Sequence, residues 1–166
     1  MVAVMAFPGM RKAFHYNENK VQTGAAILLA AHLYQKDPDQ LSVRERFQRL
    51  DRLAKLRPDV QRNCVHISLN FDPSEQLSKE TLLEIAGEYM QKIGFGAQPF
   101  LVYEHFDAAH QHLHILTTCI KSDGGRIALH NIQGQISTCE GGTGEKVWPR
   151  LREGQGQEGA LSIKTC

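Results

Sequence analysis

Residues 99–120 read PFLVYEHFDAAHQHLHILTTCI. Two runs rich in β-branched and apolar residues, Pro99 to His105 and His112 to Ile120, flank the short connection Phe106 to Gln111. Such runs favour strands, and a connection of this length allows an antiparallel hairpin. Side chains at i and i+2 of a strand share a face, so His112 and His114 lie together while Leu113 and Ile115 point the other way. In the simplest register His105 sits opposite His112, and paired residues project to the same face. His105, His112 and His114 are therefore expected to converge on one ion from one face of a rigid sheet, with His110 left in the turn. Four of the eight histidines fall within residues 105–114, a density that packing alone does not explain. Imidazole is a common ligand for transition metals and titrates near neutral pH. A solvent-facing row of polar strand residues is the plain alternative. A structural zinc site fits less well, because no CxxC pair accompanies the cluster.

Outward from the hairpin, the chain alternates helical and extended patterns. Asn63 to Phe71 (NCVHISLNF) places Val65, Ile67 and Leu69 on one strand face and His66, Ser68 and Asn70 on the other. Lys79 to Ile93 carries Leu82, Ile85, Ala86, Tyr89, Met90 and Ile93 at helical spacing, with Ser78 as N-cap and Gly94 just past the end. An earlier helix starts after Ser42, which forms a capping box with Glu45. Val43, Phe47, Leu50, Leu53 and Leu56 then recur at helical spacing until Pro58 stops it. Its other face carries Arg44, Arg46, Arg49, Arg52 and Lys55. Val2 to Phe7 reads as a short edge strand, and Ala25 to Leu33 is ambiguous between helix and strand. Ser122 to Gly125 is a turn leading into an extended piece, Arg126 to His130. The fold class is α+β, with one folded unit over residues 1–132. From about Gln133 periodicity is lost, and residues 133–166 read as a glycine-rich, poorly ordered tail.

The chain of 166 residues, 42% hydrophobic, is long enough for one domain with a real core. No apolar run approaches the roughly 20 residues of a membrane span, so no membrane partner is expected. The N-terminus has no basic segment ahead of its short apolar run, unlike a signal peptide. Cys64, Cys119, Cys139 and Cys166 lack disulfide or metal spacing, and reduced thiols in the cytoplasm are the expectation. The net charge of +1 hides an asymmetry. Residues 1–62 hold 11 Lys and Arg against 6 Asp and Glu, and the remainder 8 against 12. A basic N-terminal half can supply phosphate contacts, although a solvated helix face accounts for the charge equally well.

The pattern His105, Asp107, His110, His112, His114 resembles the metal motif of relaxases, the DNA-nicking nucleases of mobilisable plasmids and conjugative transposons. The segment HISLNFDPSEQLSKETLLEIAGEYMQKIGFGAQPFLVYEHFDAAHQHLHILTT resembles their central block nearly end to end, especially in Bacteroides-type mobile elements. YNENKV, from Tyr16 to Val21, resembles the N-terminal motif with their nucleophilic tyrosine. The resemblance covers roughly residues 10–132, and motifs in matching order are more specific than any one alone.

The resemblance implies a central antiparallel sheet flanked by helices. It implies His105, His112 and His114 as ligands of a divalent ion, with Tyr16 as nucleophile. Asp107 matches an acidic residue that supports the cluster, as an orienting acceptor or as a base. Ser68 falls in the motif that lines the DNA path, and Arg44, Arg49 and Arg52 are candidate DNA contacts. Softness favours Mn, Zn, Ni or Co at imidazoles, whereas the family is described with Mg²⁺ or Mn²⁺. The implied partners are single-stranded origin-of-transfer DNA and accessory mobilisation proteins. Two other readings compete. The run from His110 to Leu116 also resembles the signature of histidine-triad nucleotide hydrolases, although Gln111 breaks that family's hydrophobic alternation. Relaxases usually continue with further helices, so a truncated, inactive relaxase fragment is the other.

Overall fold

The computed structural model describes residues 1–129 and the strand Leu161–Ile163. The alternating segments become strands: β1 (Val2–Ala6), β2 (Ala26–His32), β3 (Cys64–Asn70), β4 (Phe100–His105), β5 (His112–Thr118) and β6 (Leu161–Ile163). They form one sheet in the order β2-β4-β5-β3-β1-β6, and every pairing is antiparallel. Helices α1 (Met10–Gln22), α2 (Val43–Ala54) and α3 (Lys79–Lys92) flank it. This is the expected α+β class. Among the described residues no helix is long and apolar enough to cross a membrane.

Several local expectations change. The ambiguous Ala25–Leu33 segment is an edge strand, bulged between Leu28 and Ala30. Strand β1 is not at the edge, because Leu161–Ile163 pairs along it. That short strand lies in the segment read as a glycine-rich, poorly ordered tail, whose other residues, with Cys139 and Cys166, fall outside the described part. Cys64 and Cys119 are free and buried, and burial pushes the Cys64 thiol up to about 12.

The two faces of the sheet bury different things. Val65, Ile67 and Leu69 of β3, Phe100 and Val102 of β4, and Leu113 and Ile115 of β5 pack with Leu82, Ala86, Met90 and Ile93 around α3. Helix α3 is held at its ends as expected: Ser78 Oγ accepts from the Thr81 N–H, and Gly94 takes φ +81°, which only glycine adopts without strain. On the opposite face, Leu101, Tyr103 and Leu116 pack with Ala13 and Phe14 of α1 and Leu50 and Ala54 of α2. Both halves of the Ser42–Glu45 capping box are formed at the start of α2. Val43 and Leu56, at either end of its apolar stripe, are exposed.

Helix α1 is the element the sequence pattern missed. Its buried residues are Met10, Ala13, Phe14, Asn17 and Glu18, a helical spacing. The last two are polar, so the apolar stripe is cut off after Phe14 and no amphipathic helix is legible. Burial of these two requires partners. Glu18 Oε1 accepts from the Tyr103 hydroxyl at 2.7 Å, and Glu18 Oε2 from Arg46 Nη1 at 2.9 Å. Arg46 is therefore not on the solvated face of α2, as its spacing suggested, but only 13% exposed. The pair ties α1 to β4 and α2. Such a buried pair adds little net stability, but removing one partner leaves a buried charge, so it sets where α1 lies on the sheet.

Candidate active site

The hairpin register is the expected one: His105 pairs with His112, and His114 lies between Tyr103 of β4 and Ser68 of β3. One ring nitrogen from each of His105, His112 and His114 lies within 4.8 Å of the other two. The His105 and His114 ring centres are 4.1 Å apart. Burial, reinforced by the neighbouring imidazoles, brings His105 down to about 4 and His114 to about 2. Both rings are therefore neutral at pH 7, the form that ligates. His105 Nδ1 is buried and has no hydrogen-bond partner, an unusual state for a polar atom. A cluster of neutral donors with one such unsatisfied nitrogen fits a divalent ion. These three side chains could hold it.

Asp107, in the β4–β5 connection, faces the same cluster. Its Oδ1 is 3.4 Å from His112 Nε2 and 3.8 Å from His105 Nδ1. Its Oδ2 accepts from Lys20 Nζ at 2.7 Å. The Lys20 hydrogen bond lowers the Asp107 carboxyl below the usual range and raises Lys20 in turn. An acid held ionised in this way is a weaker base and a better electrostatic partner.

Helix α1 lies against the cluster and brings Tyr16 to it. The Tyr16 ring stacks on His105 at 5.8 Å between centres, and lies 6.0 Å from His114 and 6.5 Å from His66. It is nevertheless 45% exposed, so a polymer can reach it. Lys20 Nζ, one turn further along α1, is 6.0 Å from the ring centre. The other three tyrosines are closed off. Tyr103 donates to Glu18, Tyr34 donates to the Arg46 carbonyl, and Tyr89 is buried against the α3 face. Burial pushes all three hydroxyls upward.

Four residues of this site have no role in the sequence reading. Asn17 and His66 hydrogen-bond the cluster from behind: Asn17 Oδ1 is 2.9 Å from His105 Nε2, and His66 Nε2 is 3.1 Å from His114 Nδ1. Burial brings His66 to about 4. Glu18 anchors the helix and Lys20 reaches Asp107. The signal was the motif itself. In Tyr16-Asn17-Glu18-Asn19-Lys20, helical geometry aims Tyr16, Asn17 and Lys20 at the cluster and Glu18 into the core. His66 was legible only as a member of the polar face of β3.

Other expected residues are placed more loosely. Ser68 is half-buried beside Asn70, with Asn70 Nδ2 donating to its Oγ at 3.2 Å. His110 lies in the connection, its Nε2 3.4 Å from Asn70 Oδ1. Gln111, which breaks the histidine-triad pattern, makes two hydrogen bonds with its side-chain amide. It accepts from the Leu77 N–H and donates to the Leu77 carbonyl, pinning the connection to the segment before α3. Arg44, Arg49 and Arg52 lie on α2, and all three are exposed. Arg49 and Arg52 line a polar groove with Tyr34, Lys36, Glu45 and Gln48, which contains none of the clustered histidines.

No curated protein and no solved structure matches the chain. A family model does: relaxase, MobA/VirD2-like, nuclease domain, over residues 16–139, beginning at Tyr16 itself. That match spans about three quarters of the sequence and contains the whole histidine hairpin. By it, and by the three-histidine cluster that the fold assembles, the chain belongs to the relaxase family of MobA/VirD2-like nucleases.

Proposed function

We propose that the protein nicks single-stranded origin-of-transfer DNA by transesterification, with Tyr16 as the nucleophile, during conjugative mobilisation. The observation that carries this reading is the position of Tyr16, exposed to solvent yet stacked over His105. Its Oη attacks the scissile phosphorus and the bond to the 3′ oxygen breaks. The phosphoryl group stays on the protein as a 5′-phosphotyrosine, and the 3′ oxygen leaves and takes up a proton. The ester bond is exchanged, not hydrolysed, so resealing needs no energy source.

The residues divide the work. Tyrosine has a reference pKa of about 10 and must lose its proton during attack. Lys20 places a positive charge beside the ring, 6.0 Å from its centre. His105, His112 and His114 would hold a divalent ion, which polarises the phosphate and offsets its growing negative charge. Asp107 places a negative charge beside the ligand nitrogens from the loop side, and its depressed pKa argues against it as the base that takes the Tyr16 proton. Arg44, Arg49 and Arg52 supply phosphate contacts and Ser68 faces the DNA path. Accessory mobilisation proteins complete the expected assembly.

The test is incubation with Mn²⁺ and labelled oligonucleotides tiling the DNA around the gene, followed by denaturing gels. A protein–DNA adduct is expected, lost in Tyr16→Phe and in EDTA and restored by fresh Mn²⁺. No adduct on any sequence, or one that survives Tyr16→Phe, would sink the proposal.

A further inference from the structure

We propose that Asn17 and His66 are positioning residues that fix which ring nitrogen of His105 and His114 carries the proton. This deepens the metal-site reading above and rests on it. The basis is a chain of donors and acceptors. The Ala13 carbonyl can only accept, and Asn17 Nδ2 lies 2.9 Å from it. That contact fixes which end of the amide is nitrogen. Asn17 Oδ1 therefore faces His105 Nε2 at 2.9 Å and can only accept from it. His105 is thus protonated on Nε2, and its Nδ1 has a free lone pair. This Nδ1 is the same buried nitrogen that has no hydrogen-bond partner.

The second amide proton of Asn17 points at His66 Nε2, 3.5 Å away, which makes that nitrogen an acceptor. His66 Nε2 also lies 3.1 Å from His114 Nδ1, so His114 must be the donor there. His114 is therefore protonated on Nδ1 and bare on Nε2. His112 is set independently: its Nδ1 donates to the His110 carbonyl at 3.3 Å, leaving Nε2 bare. The network leaves His105 Nδ1, His112 Nε2 and His114 Nε2 as lone-pair donors. Asp107 Oδ1 approaches two of these, His112 Nε2 at 3.4 Å and His105 Nδ1 at 3.8 Å. Lone pairs facing a carboxylate with no proton between them repel. A cation among them turns the conflict into ligation.

The same chain explains why position 17 is Asn. A carboxylate could accept from His105 but could not donate to Ala13 or His66. Partners that orient metal-bound histidines are typically worth about 10–100-fold in metal affinity. Neither residue touches substrate in this scheme. Both act through the ligands.

Imidazole tautomers in the metal-free, ¹⁵N-labelled protein are read by long-range ¹H–¹⁵N NMR. The expected result is protonated Nε2 on His105 and protonated Nδ1 on His114. His66→Phe keeps a ring against His114 and removes the acceptor. It is expected to release the His114 tautomer and weaken Mn²⁺ binding, measured calorimetrically, by about 10–100-fold. Asn17→Asp is expected to weaken it similarly. His66→Gln restores an acceptor and recovers part of the loss. A wild-type His114 protonated on Nε2, or His66→Phe and Asn17→Asp both leaving tautomers and affinity unchanged, overturns the assignment. Tautomers as stated in a protein that takes up no Mn²⁺ would support the assignment and overturn the metal reading alone.

Discussion

The two faces of the central sheet use the same strands for opposite purposes. The α3 face is apolar along β3 and β5 and closes over Leu82, Met90 and Ile93. The α1/α2 face is apolar only where Phe14, Leu50, Leu101 and Leu116 meet. Beyond Tyr103 it turns polar, and Asn17, Glu18, His105 and His112 are buried there with hydrogen bonds to each other, to neighbouring side chains or to the backbone. Burial of apolar area supplies stability without direction. Burial of a polar network supplies direction, since each group needs a particular partner. One face holds the hairpin rigid, and the other uses that rigidity to align imidazoles.

Substitutions should separate the faces. The largest effect is expected from Glu18→Ala, which leaves Arg46 buried without its carboxylate. Urea unfolding should show a loss of roughly 3–5 kcal/mol, and nicking by the folded fraction should fall as α1 loosens over the cluster. Ile67→Ala on the α3 face should cost about 2–5 kcal/mol through a core cavity. Mn²⁺ affinity per folded molecule should not change, and a large change there would mean the faces are not separable.

Acid sharpens the contrast further. Imidazoles titrate near 6.5 when unfolded, but at about 4 for His66 and His105 and about 2 for His114 in the fold. Below pH 6.5 the unfolded chain takes up protons that the native state refuses. Stability of the metal-free protein is therefore complete above that pH and declines as pH falls toward 4, by up to about 1.4 kcal/mol per pH unit for each imidazole. Ile67→Ala should lower this curve without changing its slope, and a His66→Phe protein should show a shallower one. The smallest effect is expected from Arg49→Ala or Arg52→Ala. Each should weaken single-stranded DNA binding a few-fold and reduce the salt slope by about 0.7, with melting temperature unchanged.

The difference between the faces also explains what could be read without coordinates. Strand β3 and helix α3 were legible because their inward residues are apolar and repeat with the period of their element. The hairpin was legible because alternation and a short connection together specify one simple register, and so the convergence of His105, His112 and His114 followed. Helix α1 was not, because Asn17 and Glu18 hold inward positions that an apolar stripe would occupy. Arg46 misled for the same reason, being a charge whose partner lies 28 residues earlier. His66 looked like any polar strand residue until His114 was stacked on it at 4.8 Å.

The sequence by itself determined the α+β class, the histidine hairpin and the order of motifs, because these depend on local periodicity and residue type. Only the tertiary structure decided that α1 folds over the cluster, that Tyr16 alone among four tyrosines is exposed beside it, and that Asn17 and His66 hold its rings. Those facts depend on pairs of polar groups far apart in the chain, and a polar side chain announces that it needs a partner without saying which one.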